Sequence, residues 1–214
     1  MADLPIIQFN NWRDPQGYRL DDQKQFVVRN GKRNDNLEVL EPLKNKALNY
    51  EFANTVVTPE SLLKFVQLYG PLTERGNDHG DEVHDVLWHA QRMRDLLKLW
   101  HTKRKRDLLK PSSARGRKER PIKGFGLPLT PLFARISWDP KTNFPRWVMQ
   151  PHSLLDGLWL QFGQATTRGS RIETCRRCGE WFEVGYPSDR RLDSKFCCDE
   201  HRVKYNSLNR SKGE

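Results

Sequence analysis

All four cysteines of the chain fall in its last fifth: Cys175-Arg176-Arg177-Cys178-Gly179, then, with eighteen residues between, Cys197-Cys198, with His201 close behind. Two thiols separated by two residues and followed by glycine suit a tight turn, in which both sulfurs and several backbone N–H groups converge on one ion. The second group is expected at the start of a helix, where positions i and i+4 project from one face, as Cys197 and His201 would. The pattern Cys-x2-Cys-x18-Cys-x3-His predicts one structural Zn2+ held by Cys175, Cys178, Cys197 and His201. Adjacent residues do not both point comfortably at one ion, so the alternative set exchanges Cys197 for Cys198. Two disulfides would use the same residues, but knuckle spacing in a chain that opens without a secretory signal favours metal. A catalytic zinc keeps an open position beside an acid or base, whereas four good ligands close the shell, so no enzymatic activity and no catalytic residue are expected.

Charge narrows the class of partner. Lys and Arg total 37 against 27 Asp and Glu, a net charge of +10. That excess points to an anionic partner, nucleic acid first and DNA ahead of RNA, or else an acidic protein surface. Residues 102–123 carry ten of the cations and two acids, broken by Pro111, Ser112, Ser113 and Gly116. Such a basic arm can neutralise phosphates by counterion release. Lys103, Arg104, Lys105, Arg106, Arg115, Arg117 and Lys118 are therefore candidate nucleic-acid contacts, together with Arg176, Arg177, Arg202 and Lys204 around the cysteines. Arg190, Arg191 and Lys195 add to that basic surface, with acids such as Glu180, Asp193 and Asp199 interspersed. The opening Met1-Ala-Asp-Leu-Pro lacks a basic, then apolar, leader, and no run approaches a membrane span. A cytoplasmic protein with no membrane and no small-molecule substrate is expected.

The chain reads as five segments in an α+β class. Residues 1–57 look β-rich: Phe26-Val27-Val28-Arg29 and Leu37–Leu40 are strand-like, Asn30-Gly31 and Asn34–Asn36 are turns, and Tyr50-Glu51-Phe52-Ala53 is read as another short strand. Residues 58–110 form a helical domain. One helix starts at Thr58, with Pro59 in its first turn, Leu62, Leu63, Phe65, Val66 and Tyr69 forming its apolar side and Gly70 at its end. After a loop around His79, a second runs from about Asp81 to about Leu109, with Val83, Val86, Leu87, Ala90, Met93, Leu97 and Trp100 recurring every three or four residues. Its histidines, His84, His89 and His101, share no i, i+3 or i, i+4 spacing and form no metal pair. Residues 111–124 are the linker. Residues 125–170 pair 132–138 with 144–150 as a hairpin, Pro145 placing the second strand at an edge. A helix then starts from Ser153 and Asp156, is expected to lie on that hairpin, and ends at Gly169. Residues 171–214 are the finger.

Cys175-x2-Cys178-Gly179-x-Trp181-Phe182 with Lys195-Phe196-Cys197-Cys198-x2-His201-Arg202 resembles the C-terminal zinc fingers of the bacterial CGNR-type family, which follow a helical ABATE domain. It is also similar to treble-clef FCS-type fingers, whose Phe-Cys-Ser would align with Phe196-Cys197-Cys198 and favours Cys197 as ligand. His201 stands where those fingers usually carry cysteine. The likeness covers about residues 172–206. It implies a treble-clef-like finger and a transcription regulator that binds nucleic acid. The alternative is a zinc-stabilised protein-interaction module, an adaptor or inhibitor.

Overall fold

The computed structural model describes residues 6–7, 9–30, 37–73, 80–102, 133–139, 143–167, 171–185, 188 and 190–210. The arm cations Lys103, Arg104, Lys105, Arg106, Arg115, Arg117 and Lys118, the loop with His79, and Gly169 lie outside these residues. The fold is mixed α+β, as the sequence predicts. It divides into two units: residues 1–92 with 128–168, and residues 93–127 with 169–214.

In the first unit, Phe26–Arg29 (β4) pairs antiparallel with Tyr18–Leu20 (β3) on one side and Asp81–Glu82 (β6) on the other. Asn11–Arg13 (β2) pairs with Glu38–Leu40 (β5). A third sheet runs in the order Ile6–Ile7 (β1), Phe144–Gln150 (β8), Phe133–Asp139 (β7). β8 is thus the central strand, which corrects the expectation that Pro145 marks an edge. Pro145 stands opposite Trp138, while β1 meets β8 only at Val148 and Met149, so the missing N–H falls short of that ladder.

Tyr50-Glu51-Phe52-Ala53 is helical, not a strand. It belongs to Leu48–Thr55 (α1), where Leu48 and Phe52 at i and i+4 turn one apolar stripe into the core and both are fully buried. α2 spans Pro59–Tyr69 and begins as expected. The Thr58 side chain accepts from the Ser61 N–H, and Ser61 Oγ accepts from the Thr58 N–H at 2.9 Å. It ends at Gly70, whose φ of +81° suits a residue without Cβ; a Cβ there would lie 2.5 Å from the Trp12 carbonyl. Phe65 packs edge-on against Phe52, ring centroids 5.4 Å apart.

The next helix, Val83–Thr102 (α3), starts two residues later than expected. Asp81 is held extended because its carboxylate accepts from the backbone N–H groups of Leu72 at 2.9 Å and Thr73 at 2.8 Å, and Glu82 pairs with Phe26. The rest of the range predicted for it, to Leu109, lies outside the described residues. α4, Leu154–Thr167, has the predicted capping pair: Ser153 Oγ accepts from the Asp156 N–H at 3.1 Å, and Asp156 Oδ2 accepts from Ser153 N–H and O–H at 3.2 and 2.7 Å. Its neighbours are α1, the 3-10 turn Pro42–Lys44, and β1, the strand beside the hairpin. Trp159 on α4 is fully buried and donates its indole N–H to Nδ1 of His89, 3.1 Å away.

In the second unit, Arg171–Thr174 (β9) and Trp181–Val184 (β10) pair antiparallel, and Asp199–Arg210 forms α5. The last residues of α3 belong to this unit. His101 Nδ1 lies 3.1 Å from the Ile172 carbonyl, and its ring meets Trp181 edge-on at 5.3 Å. Among the described residues no helix is long and apolar enough to cross a membrane.

Candidate metal centre

Cys175 and Cys178 occupy the turn that joins β9 to β10. The Gly179 N–H donates to the Cys175 carbonyl at 2.8 Å, and the Cys175 N–H to the Glu180 carbonyl at 2.9 Å, which closes the knuckle. Gly179 has φ +76°, and nothing lies within 4 Å of where its Cβ would stand. Backbone conformation alone therefore selects glycine there.

The other two side chains come from the start of α5. Cys197 sits two residues before it and His201 in its first turn. The Arg202 N–H donates to the Cys198 carbonyl at 3.3 Å, which makes Cys198 the residue that caps α5, with Cys197 just ahead of it. That phase turns Cys197 and His201 inward and leaves Cys198 exposed. A second tie, from the Arg176 N–H to the Lys195 carbonyl at 3.0 Å, clamps the segment leading into α5 to the knuckle.

The result is one cluster of four: Sγ of Cys175, Cys178 and Cys197 and a ring nitrogen of His201, all within 4.8 Å of one another. Cys178 Sγ to Cys197 Sγ is 3.8 Å, Cys175 Sγ to His201 Nδ1 is 3.7 Å, and Cys197 Sγ to His201 Nδ1 is 3.0 Å. A tetrahedral ion with bonds of about 2.3 Å to sulfur and about 2.0 Å to nitrogen has edges of roughly 3.5 to 3.8 Å. Two of these edges match and the third is shorter. The four side chains can hold one metal ion.

Electrostatics favour a cation there. Burial raises the Cys175 thiol, but the backbone N–H groups of Cys178, Cys197 and Arg177 outweigh it and hold the group down at about 6. Burial, then the neighbouring Cys175 and Cys178 side chains, push the Cys197 thiol up. Three sulfurs this close cannot all ionise without a positive charge among them, which a bound metal ion would supply. Cys175 also belongs to the small apolar core of this unit with Phe182 and Val184, against which Phe196 and Cys197 pack.

The basic candidates sort into two groups. Arg202 pairs with Asp199 at 3.1 Å and Lys204 with Glu200 at 2.6 Å along α5. Arg176, Arg177, Arg191 and Lys195 are exposed and make no ion pair among the described residues. Arg190 lies over the Phe182 ring, 5.8 Å from its centroid. These four exposed cations thus centre on the knuckle and the segment clamped to it, where the backbone bond between residues 176 and 195 brings two of them together. Lys195 and Arg191 gain weight that spacing alone did not give them. Comparison with protein-family models, curated proteins and solved structures finds no match for the chain.

Proposed function

We propose that the chain is a zinc-dependent nucleic-acid-binding protein, a transcription regulator of bacterial type that prefers DNA to RNA. The ion is Zn2+: three thiolates and one imidazole form a borderline-soft, four-coordinate set with no open position, which suits structural zinc and leaves no site for catalysis. The resemblance of residues 172–206 to CGNR-type and treble-clef fingers points the same way. The observation that carries the reading is the group of four exposed cations on the finger, Arg176, Arg177, Arg191 and Lys195, which make no ion pair among the described residues and are held around a knuckle that the metal would fix. Arg202 and Lys204 would exchange their weak intrahelical pairs for phosphates at little cost.

Four phosphate contacts give a slope of log K against log salt of about −3.6, so affinity falls roughly 100-fold between 50 and 200 mM salt. Replacing Arg176, Arg177 and Lys195 together by alanine should reduce the slope by about 2.7, with zinc content unchanged as the folding control. Neutralising Lys103, Arg104, Lys105 and Arg106 tests the arm separately. A titration with duplex DNA and with RNA of matching sequence reads both. If the wild-type chain binds neither at low salt, the finger serves as a protein-interaction module instead.

A further inference from the structure

Register and alternation put Ala134, Ile136 and Trp138 of β7 on the same face of the hairpin as Pro145, Trp147 and Met149 of β8. On the opposite face Val148 is buried. Ile136 is 66% exposed, Trp138 60% and Trp147 61%. Ile136 stands directly opposite Trp147, and Trp138 opposite Pro145. None of the six residues carries a charge.

We infer that this face packs against the same face of a second copy of the chain, forming a weak two-fold dimer in which two hairpins stack as a small sandwich. Two features select that occupant. Exposed tryptophans on a strand could stack bases, but single-strand platforms set cations beside the aromatics to track phosphates, and none of these six residues is a cation. An uncharged apolar face also has no like charges to repel a copy of itself across a two-fold axis, where residue i of one copy meets residue j of the other and the reverse. The area sets the size class of the interface. Two tryptophans of about 250 Å2 each at the exposures above, with Ile136, offer roughly 400 Å2 per copy, or about 800 Å2 for the pair. Ala134, Pro145 and Met149 bring the total to around 1,000 Å2, below the 1,200–2,000 Å2 of stable interfaces and in the range of transient ones. The dimer should therefore form in the micromolar range. Each copy carries +10, so added salt should tighten it by screening, opposite to the salt response of a phosphate complex.

Sedimentation equilibrium on the zinc-loaded full chain tests this without nucleic acid, and so independently of the function proposed above. The wild type should pass from one chain to two between about 1 and 100 μM, more readily at higher salt. Ile136→Glu and Trp147→Glu, both at exposed positions, should keep unchanged circular dichroism and remain single chains throughout. Trp147→Phe should retain most of the association. A wild type that stays a single chain at 100 μM, or an Ile136→Glu variant that associates as well as the wild type, overturns the inference.

Discussion

Serine in place of Cys197 and serine in place of Cys198 change the same atom in neighbouring residues, yet the structure assigns them opposite consequences. Cys197 Sγ is 3.8 Å from Cys178 Sγ and 3.0 Å from His201 Nδ1. Cys198 is exposed and outside the cluster. A structural zinc contributes about 10–16 kcal/mol; shared over four donors, one thiolate accounts for roughly 3 kcal/mol. A serine hydroxyl stays protonated at neutral pH and replaces little of that. Cys197→Ser should therefore weaken zinc binding by about 100-fold or more. Cys198→Ser is an exposed substitution and should move affinity by less than about 3-fold. Titrating the loaded protein with a chromogenic chelator gives both numbers, and circular dichroism shows whether α5 melts as metal leaves. Equal losses in the two variants, or a loss confined to Cys198→Ser, would refute the helical phase deduced for the start of α5 and the ligand set that depends on it.

Ser153→Ala should destabilise the first unit by about 1–2 kcal/mol in urea unfolding, the upper part of the capping range, because the Asp156 N–H and carboxylate lose a buried partner together. Burial holds the pKa of His89 below its ordinary 6.5. In the window between the lowered folded value and about 6.5 the unfolded chain binds more protons, so the stability from neutral His89 is complete above 6.5 and is lost as pH falls through that window. An NMR titration of the His89 ring should give a midpoint below 6.5; a midpoint above it would mean that Asp85, whose carboxylate is 3.8 Å from Nε2, dominates.

The metal cluster was legible in the sequence because its spacing is nearly its geometry. Two residues between thiols plus a glycine define a knuckle, and three between cysteine and histidine define one helical face. The choice between Cys197 and Cys198 depended on where α5 starts, a matter of a single residue that composition leaves open. Helix starts with side-chain caps, Thr58 and Ser153, could be read directly. α1 was missed because Tyr50 and Phe52 are strong strand formers. The i, i+4 pair of Leu48 and Phe52 decides for helix only once Phe65 supplies a surface to pack on. β1 joins β8 across some 140 residues of chain, and no local signal announces such a pairing. The alternation Ala134, Ile136, Trp138 was visible as a strand, but which face it shows to solvent needed Val148 buried on the other side.

The contact between His101 and the β9–β10 hairpin has a consequence for anyone who would move the finger elsewhere. Its unit is discontinuous in the chain: residues 93–102 are made long before the hairpin and finger that they join, and the His101 ring nitrogen sits against the Ile172 carbonyl while its ring meets Trp181 edge-on. A fragment cut at residue 171 keeps every ligand but leaves Trp181 without that aromatic neighbour. Such a piece should take up zinc yet fold loosely. Grafted onto a foreign protein, it would need the last two turns of α3 supplied as a separate peptide to recover its native packing.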